Sequence, residues 1–330
     1  MKVTVIGSGS WGTALAQVLV DNRHDVSIWG NDLDEVVDIH MYHLNEKHFP
    51  GVHLHEDIKA TNDLKTVRFA DVLVLAVPSG FVADACELIN KYFTKPVLII
   101  NAAIGFDPTS HKRLSVVIKE KLRPELFDGI VSLAGPTHAE EVILRMFTRI
   151  EAAGSDEAAL KRVQSLLTND YFRVSRNTDV IGAEIGAALK NVIAIASGIF
   201  IGLGYGDNAR AALMTRGLSE MIAYGTYFGG KPETYLGLSG VGALIGTCTS
   251  EHSRNFQAGL LIGNNDSAKV FWETNIKTVE GALAVKIVIE EAAKAGLDLP
   301  VNRFVNDILY GGQTPSQAIL NLLKRENNAE

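Results

Sequence analysis

Residues 2–22, KVTVIGSGSWGTALAQVLVDN, constrain the fold of this chain more than any other stretch. A β-branched run leads into Gly7-x-Gly9-x-x-Gly12 and then into an Ala/Leu helical pattern. Glycines in that order permit a tight turn, close approach of the backbone to a pyrophosphate, and close helix–strand packing. The helix start then presents its N–H groups to an anion. HDVSIWGND follows as a second strand, with Asp32 falling 20 residues after Gly12. An acid there can bond a ribose hydroxyl. Asn31 and Asp32 favour NAD through that hydroxyl and leave NADP open. A glycine turn in a ligand-free α/β domain shares part of this pattern. The succession of strand, turn, helix, strand and acid is what points to a dinucleotide.

Further apolar runs alternate with helical stretches: ADVLVLAVPS (70–79), PVLIINAA (96–103), GIVSLAGPT (129–137) and FTRIEAAG (147–154). Such alternation predicts a Rossmann-like α/β domain with a mainly parallel sheet covered on both faces. Ligands of such sheets bind beyond the strand carboxyl ends, so VPSG, NAAIG and AGPTHA are expected to rim one crevice. His40, His43, His48, His53 and His55 crowd into a segment that reads as a loop. No acidic or cysteine pattern supports them as metal ligands, so solvated histidines are the expectation and no metal is predicted.

The pattern changes after residue 177. Two long helical stretches, TDVIGAEIGAALKNVIAIASGIFIGLG and DNARAALMTRGLSEMIAYGTYFG, replace the strands. Thr178 or Asp179 is expected to cap the first, and Asp207 or Asn208 the second. An all-α domain over 178–330 is predicted, ending in a frayed, charged tail, KRENNAE. Within the first helix Lys190 and Asn191 interrupt IGAALKNVIAIA. A lone buried ammonium is costly or loses its proton. Either Lys190 reaches a surface or cleft, or its awkward setting is used. TCTSEHSRN (247–255) is a denser polar cluster. Its Arg254 has the fork geometry to grip a phosphate; a capped loop with a surface arginine is the plainer reading.

The chain has 330 residues, a net charge of −7 and no basic block. That argues against duplex nucleic acid as a partner. Two distant cysteines, Cys86 and Cys248, form no disulfide framework and suit a reducing compartment. The start lacks a signal-peptide pattern, and the most apolar window (181–206) is interrupted by Glu184, Lys190 and Asn191. No membrane span is expected, and a cytoplasmic location is.

VIGSGSWGTALA, AGPTHAEEV, DVIGAEIGAALKNVIAIASGI, GDNARAALMTRGLSEM, TCTSEHSRN and VEG (279–281), in this order, resemble the NAD(P)-dependent glycerol-3-phosphate dehydrogenases of the bacterial type. The resemblance covers nearly the whole chain. It implies reversible NAD(P)H-dependent reduction of dihydroxyacetone phosphate to sn-glycerol 3-phosphate, a supply for phospholipid synthesis, and a homodimer. By resemblance Lys190 is the proton-transferring lysine, with Thr247 in its catalytic cluster. Gly135, Thr137, Ser253, Arg254 and Asn255 take substrate-side positions. Ser10, Trp11, Ala139, Val279 and Glu280 take cofactor-side positions, and Arg254 lies near both ligands. Two positions depart from the family pattern. Ile104-Gly105 stands where the family has Lys-Gly, and GVGAL puts Ala243 where it has aspartate. Both losses remove a charge from the implied reaction centre. They raise a second reading: a catalytically impaired or non-catalytic dinucleotide-binding member.

Overall fold

A computed structural model describes residues 1–275 and 277–323. The expected frayed tail, 324–330, lies outside the described residues. The chain divides into two compact units, Met1–Val180 and Ile181–Glu330.

The first unit runs β1 (Lys2–Ile6), α1 (Ser10–Asp21), β2 (Asp25–Trp29), α2 (Leu33–Val37), β3 (Lys59–Thr61), α3 (Leu64–Val67), β4 (Val72–Leu75), α4 (Val82–Tyr92), β5 (Val97–Asn101), α5 (Leu114–Lys121), β6 (Phe127–Ala134), α6 (Ala139–Ile143), β7 (Thr148–Ala153), α7 (Glu157–Leu167) and β8 (Phe172–Asn177). Its eight strands form one sheet in the order β3-β2-β1-β4-β5-β6-β7-β8. The apolar runs are continuous because both faces are covered. Val72 and Val74 enter one core cluster with α1, while Leu73 and Leu75 enter the other with α4. Leu98 and Ile100 alternate with Val97 and Ile99 in the same way, as the strand period of two requires.

All pairings are parallel except β6 with β7. FTRIEAAG is thus a strand, but it and β8 run against the other six. Alternation in sequence carries no direction, so only the observed register, with Ala134 opposite Glu151, reveals it. Strand order reverses between β1 and β4, so the glycine turn after β1 sits at the topological switch point. The segments VPSG, NAAIG and AGPTHA follow β4, β5 and β6 and leave the sheet at this same edge.

The second unit runs α8 (Val180–Gly202, its first residue still in the first unit), α9 (Asp207–Tyr227), α10 (Pro232–Tyr235), α11 (Ala243–Thr249), α12 (Arg254–Asn264), α13 (Lys269–Thr274), α14 (Glu280–Ala295), α15 (Pro300–Leu309) and α16 (Pro315–Leu323). Among the described residues it contains no strand. Helix α8 is apolar on all sides, and every residue from Gly182 to Phe200 is buried. By length and composition it would pass for a membrane span, yet 89% of its apolar window is buried inside the protein. A helix hydrophobic all round belongs in a core.

Small residues let backbones touch here. A Cβ on Gly198 would stand 2.1 Å from the Phe256 carbonyl oxygen, and one on Gly259 would stand 2.0 Å from that of Ile195. Helices α8 and α12 therefore cross backbone to backbone. The expected cap of α9 is corrected. Its N-cap is Gly206, and Asp207 is already the first helical residue, paired with Arg210 one turn on.

Candidate functional site

The glycine turn is built as the motif demands. Gly7 has φ +121°, and a Cβ on it would meet the Ala76 oxygen at 2.4 Å. A Cβ on Gly12 would meet the Gly7 oxygen at 2.1 Å, so α1 packs tightly against the turn. A Cβ on Gly9 would meet nothing within 4 Å. The middle glycine thus faces open space, where a pyrophosphate needs bare backbone. Helix α1 starts without a side-chain cap and without an acid in its first turn, and Ser10 and Trp11 are its first two residues. These features fit an anionic group at the helix start.

Beside the turn lies a polar knot. Ser8 Oγ donates to Glu35 Oε2, and Asn45 Nδ2 donates to the Ser8 oxygen at 2.9 Å and to Thr13 Oγ1 at 2.9 Å. Asp32 accepts from the Asp34 and Glu35 amides as the N-cap of α2. Its other oxygen pairs with Lys47 Nζ at 2.8 Å, and Lys47 also reaches Glu35 Oε1 at 2.8 Å. The hydrogen bond from Lys47 and those from the Glu35 and Asp34 amides hold the Asp32 carboxyl below its ordinary value. The same contacts, to Asp32 and then Glu35, push Lys47 above the usual lysine range. Asn31 is exposed next to Asp32.

Glu35, Asn45 and Lys47 carry no sequence motif, and Ser8 is only the variable residue between Gly7 and Gly9. Their partners lie up to 37 positions away, so nothing local marks them. Among the histidines, His48 Nε2 lies 3.2 Å from Glu35 Oε1 and His40 Nδ1 accepts from the Ala60 amide. No group of three or more His, Cys, Asp or Glu is arranged to hold a metal among the described residues.

Gly135 follows β6 with φ +152°, a conformation that a side chain would strain. Thr137 is half-buried just beyond it, and Ala139 opens α6. Ile104, also half-buried, precedes Gly105 after β5. A surface cavity of about 790 Å³ opens at the opposite edge, beside the start of β2. Its principal charges are matched there, Arg145 with Asp21 and Lys59 with Asp25. It lies away from the glycine turn.

In the second unit, three helices meet at Asn191, the neighbour of Lys190. Lys190 is 4% exposed. Burial pulls its pKa from 10.5 down to about 8, offset in part by the Cys248 thiol. That burial is the desolvation expected of an ammonium in IGAALKNVIAIA. Asn191 Oδ1 accepts from Asn255 Nδ2 at 3.0 Å, and Asn255 Oδ1 accepts from the Gly281 amide at 2.9 Å. A Cβ on Gly281 would stand 2.5 Å from the Asn191 oxygen. Asn255 therefore fastens the starts of α12 and α14 to the middle of α8.

Ser253 caps α12 by accepting from the Phe256 amide at 3.2 Å, and Arg254 is its exposed first residue. Val279, buried, occupies the N-cap position of α14 without a side-chain cap, and Glu280 begins the helix. Thr247 Oγ1 donates to the Ala243 oxygen at 2.7 Å, leaving its own oxygen as an acceptor. Ala243 is fully buried. Asn191 stood out in sequence only as a polar interruption; its partnership with Asn255, 64 residues on, is a tertiary fact.

Known proteins resemble this chain from end to end. The profile described as NAD-dependent glycerol-3-phosphate dehydrogenase N-terminus matches residues 2–160, and the corresponding C-terminus profile matches 179–320. A glycerol-3-phosphate dehydrogenase [NAD(P)+] from Macrococcus caseolyticus is 41% identical over the whole of both chains. One from Bacillus cereus is 43% identical over all of this chain and 97% of its own. The crystal structure of glycerol-3-phosphate dehydrogenase from Coxiella burnetii superposes with a TM-score of 0.92 at 33% identity, covering 98% of this chain and 99% of that one.

Proposed function

Since this chain belongs to the NAD-dependent glycerol-3-phosphate dehydrogenase family, we propose that it interconverts dihydroxyacetone phosphate and sn-glycerol 3-phosphate using NAD(H) or NADP(H). The product is the backbone of glycerophospholipids, which makes phospholipid synthesis its outlet. The buried Lys190, next to the Asn191 that the starts of α12 and α14 fasten onto, is the observation that carries this reading.

The nicotinamide, when bound, supplies hydride to the central carbon of the substrate or takes it back. We assign cofactor binding to residues 1–177. Gly7, Gly9 and Gly12 admit the pyrophosphate, with Ser10 and Trp11 at the start of α1, Asn31 and Asp32 toward the ribose, and Ala139 at the start of α6. Residues 178–330 take the substrate and the proton, and also contribute Arg254, Val279 and Glu280 on the cofactor side. In reduction, the carbonyl carbon gains hydride and Lys190 gives a proton to the carbonyl oxygen. A hydroxyl forms and Lys190 is left as a neutral amine, which takes a proton back from solvent. In oxidation the neutral amine receives that proton. A group titrating near 8 serves both directions near neutral pH.

Arg254 offers its fork to the substrate phosphate at the start of α12, where the helix dipole also favours an anion. Ser253 shapes that start by capping it. Asn255 holds its geometry through Asn191 and Gly281. Thr247 contributes an acceptor, and Gly135 and Thr137 complete the substrate side. Buried free thiols suit a reducing cytoplasm, and a homodimer follows from the resemblance.

The test is oxidation of NADH and of NADPH with dihydroxyacetone phosphate, beside direct cofactor binding on the same sample. Turnover that Lys190→Ala removes, with cofactor affinity kept, is the expected result. Tight binding without turnover in the unmodified chain would favour the non-catalytic reading raised by Ile104 and Ala243.

A further inference from the structure

Asp32 stands at the carboxyl end of β2, the position from which an acid reads the ribose 2′ site. Alone it would repel a 2′-phosphate. It is not alone, because Lys47 Nζ lies 2.8 Å from its Oδ2. We propose that Lys47 is a cofactor-specificity residue: it admits the 2′-phosphate of NADP(H), while Asp32 serves the 2′-hydroxyl of NAD(H). The proposal rests on the reading of the first unit as nucleotide-binding and goes a step further, to how that site treats its two cofactors.

Three observations support it. First, Lys47 is tethered to the glycine turn. Asn45, two residues earlier, is fully buried and donates to Ser8 and Thr13. His48, the next residue, touches Glu35. The ammonium therefore approaches the ribose side from a segment fixed against the pyrophosphate cradle. Second, the cation is free to change partners. Its side chain is 60% exposed and that of Asp32 is 35% exposed. The pair with Asp32 is exposed and holds weakly, so Lys47 can exchange it for a phosphate while keeping its contact to Glu35, whose side chain is only 9% exposed. Third, both carboxylates keep other donors. Glu35 retains Ser8 and His48, and Asp32 retains the Asp34 and Glu35 amides. With a 2′-hydroxyl instead, Lys47 stays on Asp32 and Glu35, and Asp32 accepts the hydroxyl as well. A carboxylate has room for that extra donor.

The test measures calorimetric binding of 5′-ADP and 2′,5′-ADP to the full chain, with no turnover required. Lys47→Ala should weaken 2′,5′-ADP about tenfold or more, the size of one lost charge-assisted contact, and 5′-ADP by less than about twofold. Lys47→Arg should restore 2′,5′-ADP. Lys47→Gln, which keeps a donor for Glu35, should fail to restore it while melting like the parent. Asp32→Asn should tighten 2′,5′-ADP. Equal weakening of both ligands by Lys47→Ala, or no change in either, overturns the proposal. If the unmodified chain binds 5′-ADP and NADH but not 2′,5′-ADP, the 2′-phosphate role falls and the nucleotide site stands. If it binds none of the three, the nucleotide reading falls first and the proposal with it.

Discussion

Two lysines in this chain sit in opposite surroundings. Lys47 lies on an exposed loop between two carboxylates, which lift its pKa and keep it charged. Lys190 lies inside a helix of apolar residues, where desolvation lowers its pKa to about 8. The first can act only as a fixed positive charge. The second can act as an acid or a base. Residue type alone does not separate charge recognition from proton transfer; hydration and neighbours do.

The sharpest way to break that contrast is to remove the ammonium from α8. Lys190→Met should lower turnover by about 10²–10⁴-fold, the range of a lost general acid–base group, with cofactor affinity unchanged. Turnover within a few-fold of the parent would take Lys190 out of the chemistry.

The glycine turn gives the next largest effect. Gly12→Ala forces a Cβ to within 2.1 Å of the Gly7 oxygen, so nucleotide binding should vanish and stability should fall by about 1–3 kcal/mol. Gly9→Ala meets no protein atom within 4 Å. It should melt like the parent, within about 0.5 kcal/mol, yet bind NADH more weakly. Thermal melts and NADH titrations of both variants separate a packing glycine from a ligand-facing one.

The same Lys190→Met change should stabilise the fold. Lowering a lysine from 10.5 to about 8 costs the folded state about 3 kcal/mol at neutral pH. The sign follows from proton binding. Below pH 8 the lysine is charged both folded and unfolded, and the penalty is complete. Between about 8 and 10.5 the folded state has released its proton while the unfolded state keeps it, so the penalty fades. The gain from Lys190→Met, read by chemical denaturation, should therefore be larger at pH 7 than at pH 10. A gain that ignores pH would mean the ammonium is not desolvated.

The smallest change sharpens the contrast without a mutation. With Lys190 as the proposed proton donor, reduction should fall about tenfold per unit above pH 8, and with its amine as the acceptor, oxidation should fall below pH 8. Over pH 7–9 the ratio of NADPH to NADH affinity should stay flat, because Lys47 remains charged throughout.

Much of this was legible in the sequence because it is local. The glycine turn, Asp32 beyond β2 and the extent of α8 are each written in consecutive residues. Lys190 was conspicuous for the same reason, as a charge in an apolar run. What escaped is non-local or weakly patterned. β3 is three residues long with one buried side chain, too short to show a period. β8 buries Phe172 and Val174 in alternation, but its arginines and serine obscure the run. The direction of β7 is set by pairing, which composition does not encode. The Asn191–Asn255–Gly281 chain and the Lys47 bridges join segments far apart in sequence. α8 also carries two glycines whose use is visible only once α12 lies on them.

That close crossing has a consequence for biosynthesis. Helix α8 ends at Gly202, but α12, whose glycines close over it, is complete only at Asn264. A ribosome adding ~5–20 residues per second leaves the most apolar helix of the chain without that cover for roughly 3–12 seconds. During that interval it has the length and composition of a membrane span without the burial that marks it as a core helix. Lys190, near its midpoint, raises the cost of insertion by about 2.5–3.5 kcal/mol.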